Sequence, residues 1–68
     1  MRLEYDREVD AAYIYLQLPI KDGEAKKTIQ LNDNIVLDFD ENDKLIGVEV
    51  LNASTVLSEE TIKDAQVA

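Results

Sequence analysis

The residues best suited to chemistry are the side-chain oxygens spaced two apart between Asp38 and Asn42. Asp38, Asp40 and Asn42, with Glu49 at the twelfth position, approach the ligand spacing of an EF-hand calcium loop. The sixth position of such a loop needs glycine for a sharp turn but is Asp43 here, and Glu49 falls in a predicted strand. We therefore interpret the cluster as a solvated hairpin turn, and we expect no metal ligand and no cofactor.

A pair of carboxylates can also perform acid–base catalysis, and we expect Asp38 and Glu49 to lie near each other on one face of a sheet. The chain has no histidine, no cysteine and only two glycines, so it lacks a nucleophile with its base and a glycine-rich phosphate loop. We expect no catalytic residues and no enzymatic activity. The alternative is a divalent-metal-dependent activity at the acidic hairpin.

The charge is strongly negative and uneven. The formal net charge is −8, from 15 acidic and 7 basic residues, and residues 31–60 contain a single base, Lys44. Such a field repels phosphate backbones, so we expect no direct binding of nucleic acid. It attracts a basic protein, and the candidate patch for such a partner is formed by Asp38, Asp40, Glu41 and Asp43.

The element that positions these carboxylates is a hairpin over residues 35–51. Apolar residues alternate on both sides of the polar turn, as is typical of half-buried strands. A two-residue loop, Glu41–Asn42, sets Leu37 opposite Ile46 and Ile35 opposite Val48, with the apolar side chains on one face.

The same alternation predicts strands over residues 2–5, 11–18 and 25–31, the last joined to Ile35 by the loop Asn32–Asn34. Ser58 is the predicted N-cap of one helix ending near Ala65. The expected fold is a single α+β domain over residues 1–68, with an antiparallel sheet of four to five strands in meander order and one C-terminal helix. The predicted core comprises Leu3, Tyr5, Ala12, Ile14, Leu16, Ile29, Leu31, Ile35, Leu37, Phe39, Ile46, Val48 and Val50, covered by Ile62.

The sheet face opposite this core is the candidate interface. Tyr13 and Tyr15 lie two apart on one strand, so both rings point to the same side. Gly47 lies on that side within a strand, where we expect another backbone or one of these rings to approach it closely. One helix covers only one side of such a sheet, so a homodimer through the tyrosine strands or a basic protein partner would bury the other. The candidate interface residues are Tyr13, Tyr15, Val36, Leu45, Gly47 and Leu51.

Two blocks of the sequence carry recognisable motifs. The first contains Tyr5-Asp6, Asp10, Ala12, Tyr13-Ile14 and Leu16, and the second spans residues 35–54. They resemble the opening YDxxxDAxYI and the vilDfD…GiEiLxAS block of a family of small bacterial domains of unknown function. The chain departs from the family at Asn42-Asp43, where members often have a glycine. The resemblance implies a compact β-rich domain with no assigned activity. Because members occur beside small basic proteins that look like ribonuclease toxins, it also implies an antitoxin-like role as a candidate.

The sequence therefore predicts a non-catalytic acidic interaction module that forms a homodimer or binds a basic protein. No apolar run approaches the roughly 20 residues of a membrane helix, and Met1–Glu4 lacks the features of a secretory signal. We expect a cytoplasmic protein without a membrane partner.

Overall fold

The computed structural model describes residues 1–67 and has a mixed α+β architecture. Six strands form one mostly antiparallel sheet in the order β3-β4-β5-β2-β1-β6. The elements are β1 (Arg2–Asp6), β2 (Ala11–Tyr15), β3 (Lys27–Gln30), β4 (Ile35–Phe39), β5 (Leu45–Leu51), α1 (Ala53–Val56), α2 (Glu59–Lys63) and β6 (Gln66–Val67).

The predicted class and the antiparallel sheet are confirmed, whereas the meander order and the strand count are wrong. β2 pairs with β5 instead of with β3, and residues 16–26 lead the chain to the far edge of the sheet. β5 takes the central place because it is the longest strand and contains the buried residues Ile46 and Val50. The sixth strand, β6, pairs in parallel with β1 and has too few residues to show a sequence pattern.

The β4–β5 hairpin shows why its predicted register is wrong while its predicted face is right. The loop has three residues, Glu41–Asp43: the Asp40 N–H donates to the Lys44 carbonyl at 2.9 Å, and Asp43 adopts a φ of 60°. A bulge then shifts the register again between Asp38 and Phe39, so that Leu37 pairs with Val48. Two single-residue shifts restore the alternation, so the apolar residues still share one face.

The β3–β4 connection follows the prediction, with Ile29 opposite Leu37 and the Leu31 N–H donating to the Ile35 carbonyl at 2.8 Å. β2 and β3 are shorter than predicted. β2 ends at Tyr15, where the Ile46 carbonyl at the bulge accepts from the N–H groups of both Leu16 and Gln17.

Two short helices replace the single predicted one. Ser58 caps α2 as expected, its hydroxyl accepting from the Thr61 N–H at 3.1 Å, but α2 ends at Lys63. The additional helix, α1, follows Asn52, which adopts a left-handed φ of 54°.

The core is smaller than the sequence predicts. Ala53 of α1 packs against Ala12 and Val50, with Leu57 at the margin, so the helical layer covers the β2–β5 part of the sheet. Among residues 1–67, no helix packs in this way on the β3–β4 part of the same face. The predicted core residues Leu16, Ile29 and Leu31 are 41%, 40% and 60% exposed, and Ile62 is only half-buried.

Candidate interaction surface

The tyrosine face is the side of the sheet opposite α1. Tyr13 and Tyr15 alternate along β2 with Ala12 and Ile14, which point to the core. In the register, Tyr13 lies opposite Glu49 and Tyr15 lies opposite Gly47 on β5. The centre of the sheet therefore presents two aromatic rings beside a carboxylate.

Tyr13 lies over Gly47 and joins three strands. Its hydroxyl donates to Asp38 Oδ2 at 2.7 Å, and Asp38 Oδ1 accepts from the Thr28 hydroxyl at 2.7 Å. A Cβ added at Gly47 would meet the Tyr13 hydroxyl oxygen at 2.0 Å. This confirms the expectation that an aromatic ring approaches Gly47 closely, and the glycine is buried beneath that ring instead of being available to a partner.

Tyr15 is fixed in a similar way at the β1 side. Its hydroxyl donates to Glu4 Oε1 at 3.2 Å, and the other carboxylate oxygen of Glu4 pairs with Arg2 at 3.2 Å. The rings of Tyr13 and Tyr15 meet edge to face with centroids 4.7 Å apart. Burial raises the pKa of both phenols, and the bonds to Asp38 and Glu4 raise each pKa further. Both tyrosines are therefore neutral hydrogen-bond donors at pH 7.

Glu49 differs from the other carboxylates of this face. It is half-buried, and the register places it between Tyr13 on one side and Val36 on the other. Within residues 1–67, its carboxylate has no hydrogen bond or ion pair with another side chain. A negative charge at the centre of an aromatic face is therefore open to an external cation.

Four further predictions concerned this face. Val36 and Leu51 are half-buried, and their pairing with Glu49 and Ala11 places them on the tyrosine face. Leu45 was wrongly included, because the bulge pairs it with Phe39, whose side chain lies on the core face with Leu37. Asp38 and Glu49 do share the face, as expected.

The acidic hairpin does not form one patch. Asp38 lies within the sheet with both oxygens bonded, so it does not belong with the others. Asp40 accepts from the N–H groups of Asn42 and Lys44 and stabilises the turn. Asp43 pairs with Lys27 at 3.3 Å, and Glu41 is exposed. Among the described residues, no three acidic, histidine or cysteine side chains are grouped so that they could hold a metal ion.

The sequence reasoning missed a second polar cluster, centred on Asp10. Its Oδ1 accepts from the Tyr5 hydroxyl at 2.7 Å, and its carboxylate also accepts from the Ser54 N–H at 3.0 Å and the Ser54 hydroxyl at 2.7 Å. These bonds hold the pKa of Asp10 below its usual value. The Asp10 carbonyl accepts from the Ala53 N–H at 2.9 Å, so one residue anchors α1. Ser54 lies 44 residues from Asp10 along the chain, so no local sequence pattern indicates this cluster.

No helix among the described residues has the length and apolarity needed to cross a membrane.

Comparison with known proteins supports the family resemblance of the two sequence blocks. The chain is 41% identical over 59 residues to an uncharacterized protein of Methanocaldococcus jannaschii, an alignment covering 85% of this chain and 46% of the relative. The chain thus spans about half the length of that curated relative. The relative is archaeal, so the similarity extends beyond the bacterial proteins expected from the sequence. No solved structure matches the chain.

A family model described as "Protein of unknown function (DUF2283)" matches residues 2–54, a range that contains both blocks and all strands from β1 to β5. The chain therefore belongs to the DUF2283 family of proteins of unknown function.

Proposed function

We propose that the protein is a non-catalytic interaction module whose tyrosine face binds a positively charged segment of another protein. The observation that supports this most directly is Glu49, a half-buried carboxylate beside Tyr13 that bonds to no other side chain in the part of the chain that the structure describes. A guanidinium group placed here contacts an aromatic ring and a carboxylate together, an arrangement that suits arginine.

The surroundings of Glu49 favour the same class of partner. Among the described strand residues that the register places on this face, four are acidic, Glu4, Asp6, Asp38 and Glu49, and one is basic, Arg2. Tyr15, Leu18, Pro19 and Ile20 line a shallow pocket beside it, and Leu18 is 52% exposed. A shallow pocket of this kind suits the aliphatic stem of a lysine or arginine, whose charged end then reaches a carboxylate of the face.

A second copy of the chain fits this face less well. A two-fold contact through β2 would bring each Glu49 and Glu4 towards the same carboxylates of the other copy, and like charges in an interface repel. We therefore favour the basic partner over the homodimer through the tyrosine strands. An antitoxin-like role would be one instance of this function, with the basic ribonuclease implied by the family resemblance as the partner.

The metal-dependent alternative is less well supported, because Asp38, Asp40 and Asp43 each bond to a different part of the chain. A thermal melt with calcium, magnesium or manganese tests it, since a ligand of the native state raises the melting temperature. We expect no shift at millimolar metal.

The proposed function is tested with an arginine-rich peptide as probe and with two variants of equal net charge. We expect peptide-induced NMR shifts at Tyr13, Tyr15 and Glu49. Glu49→Gln should weaken binding about tenfold, the equivalent of one charge-assisted hydrogen bond. The control Glu60→Gln, on exposed α2, should leave binding unchanged.

Equal weakening by both variants would mean that only the net charge matters and would contradict the proposal. Shifts confined to residues 40–43 would move the binding site to the acidic hairpin.

A further inference from the structure

The edge strand β3 is open for pairing along its whole length. It lies at the end of the sheet, and each of its four residues is exposed. The Leu31 N–H bonds to Ile35 and Ile29 pairs with Leu37, so backbone groups of odd-numbered residues point into the sheet. Because bonding alternates along an antiparallel strand, the N–H and C=O groups of Thr28 and Gln30 point outward.

Most natural edge strands carry a device that prevents pairing, such as a proline, a bulge or a projecting lysine. β3 contains no proline, and its ladder with β4 has no register shift. Lys27 does not project from the edge, since its amine pairs with Asp43 at 3.3 Å and lies 5.7 Å from the centre of the Phe39 ring. β3 is short, with four residues, but it has none of these three devices.

Beside this edge lies the uncovered half of the core face. Ile29 and Leu31 are 40% and 60% exposed, next to half-buried Leu37 and Ile35. The helical layer packs on β2 and β5, too far along the sheet to cover them. A layer or strand added at β3 would extend the sheet and bury part of this apolar surface.

We propose that β3 pairs antiparallel with β3 of a second copy of this chain, making one continuous sheet across a two-fold axis at Ile29. The charge distribution favours a second copy here, because residues 25–32 contain Lys26 and Lys27 and no acidic residue, in a chain of net charge −8. Two acidic chains that meet along this segment bring no carboxylates of the paired strands together.

The backbone bonds select the register. The N–H groups of Lys26 and Asn32 already donate to Phe39 and Ile35, so only Thr28 and Gln30 have outward donors. An axis at Ile29 sets Thr28 opposite Gln30 of the second copy, and Gln30 opposite Thr28 of the second copy. In this register, every outward N–H and C=O group of Thr28 and Gln30 has a partner on the other strand. An axis at Thr28 or at Gln30 leaves one of these two residues opposite Lys26 or Asn32, whose donors are taken.

The same register gives an acceptable side-chain arrangement. Ile29 meets Ile29 of the second copy as a close pair that shares no backbone bonds, and Lys27 lies opposite Leu31. No lysine faces a lysine. The contact does not use Tyr13, Tyr15 or Glu49, so it neither depends on nor competes with the proposed binding of a basic partner at the tyrosine face.

The first test compares Gln30→Pro with Gln30→Ala by sedimentation from low to high micromolar concentration. Proline removes an outward N–H that the monomer does not use and is tolerated on such an edge, whereas alanine keeps the N–H. We expect wild type and Gln30→Ala to become dimeric with concentration, and Gln30→Pro to stay monomeric with unchanged circular dichroism. A monomeric wild type, or a folded Gln30→Pro protein that dimerises like wild type, would overturn the proposal.

The second test reads the register directly and does not depend on how well Gln30→Pro folds. The chain has no cysteine, so a single introduced thiol reports on one position. Facing residues of a close pair lie about 4.5 Å apart at Cα, within disulfide range. We expect Ile29→Cys to form a cross-linked dimer under mild oxidation, and Leu31→Cys, which faces Lys27, to cross-link at least tenfold more slowly. Equal rates, or no cross-linking of Ile29→Cys, would contradict the register.

Discussion

Gly47 offers the sharpest test of how the tyrosine face is built, because a single added methyl group collides with a ring. The Cβ of Gly47→Ala would lie 2.0 Å from the Tyr13 hydroxyl oxygen and 2.6 Å from Cζ, so the ring must move and its bond to Asp38 must break. A hydrogen bond to a charged group contributes about 1.5–3 kcal/mol. Alanine in place of a strand glycine returns roughly 0.5–1 kcal/mol. The free energy of unfolding should therefore fall by about 1–2 kcal/mol.

Urea denaturation measures this change, and a double-mutant cycle with Tyr13→Ala tests its cause. A loss of 1–2 kcal/mol lowers the melting temperature of a domain of this size by roughly 4–16 °C. In the Tyr13→Ala background the ring is absent, so Gly47→Ala should become neutral or stabilising. If Gly47→Ala costs the same in both backgrounds, or is neutral in wild type, the ring does not lie on Gly47.

Three further predictions concern burial and ionisation. In urea denaturation, Val50→Ala should lower the free energy of unfolding at least as much as Leu37→Ala, because Val50 is 2% exposed and Leu37 is half-buried. The loss for Leu37→Ala should therefore be smaller than the roughly 2–5 kcal/mol of a buried leucine. The reverse ranking would mean that the β3–β4 face is covered. Asp10→Ala should lower the melting temperature at pH 7. Because the pKa of Asp10 is lowered in the folded state, the difference in melting temperature from wild type should vanish as the pH falls through that pKa. A difference that persists in acid would contradict a role for the charge of Asp10. The pKa of Tyr13 is raised in the folded state, so the stability that its hydroxyl contributes is complete below the unfolded pKa of about 10 and is lost as the pH rises further. Tyr13→Phe should therefore flatten the alkaline decline in melting temperature. Parallel curves of melting temperature against pH for the variant and wild type would refute this.

The hairpins show which parts of the fold were accessible from the sequence. Period-two alternation predicts which residues of Ile35–Leu51 share a face, because this depends only on neighbours along the chain. The loop length depends on the left-handed backbone of Asp43, and the bulge depends on the backbone between Asp38 and Phe39. No glycine stands at these positions to indicate either feature in the sequence. The predicted face is still right because the two single-residue shifts add to two residues, which is the period of a strand.

The strand order and the core were less accessible, because they depend on contacts distant in sequence. Nothing local indicates that β2 joins β5, or that Asp10 accepts from Ser54. The alternation correctly assigns Ile29 and Leu31 to the apolar face, but it does not reveal that the helical layer packs on β2 and β5 and leaves them exposed. The candidate site shows the same limit: the shared side of Tyr13 and Tyr15 was predictable, whereas the exclusion of Leu45 follows from the bulge.

The two sequence blocks that resemble the family are joined in space by two polar clusters. Tyr5 and Asp10 of the first block meet Ser54 of the second, and Tyr13 of the first meets Asp38 of the second above Gly47. The hydrogen bonds within each cluster give these residues a structural role, because they join the two blocks.

Glu49 belongs to the second block but takes part in neither cluster. Within residues 1–67, its half-buried carboxylate has no hydrogen bond or ion pair with another side chain, so it adds no internal polar contact that would stabilise the fold. Under the proposed function, an external cation bound beside Tyr13 supplies the partner of Glu49. Replacing it separates the two roles: Glu49→Gln should leave the melting temperature unchanged or raise it, while weakening the binding of a basic peptide. A clear loss of stability in Glu49→Gln would make Glu49 a structural residue and remove the main support for the proposed function.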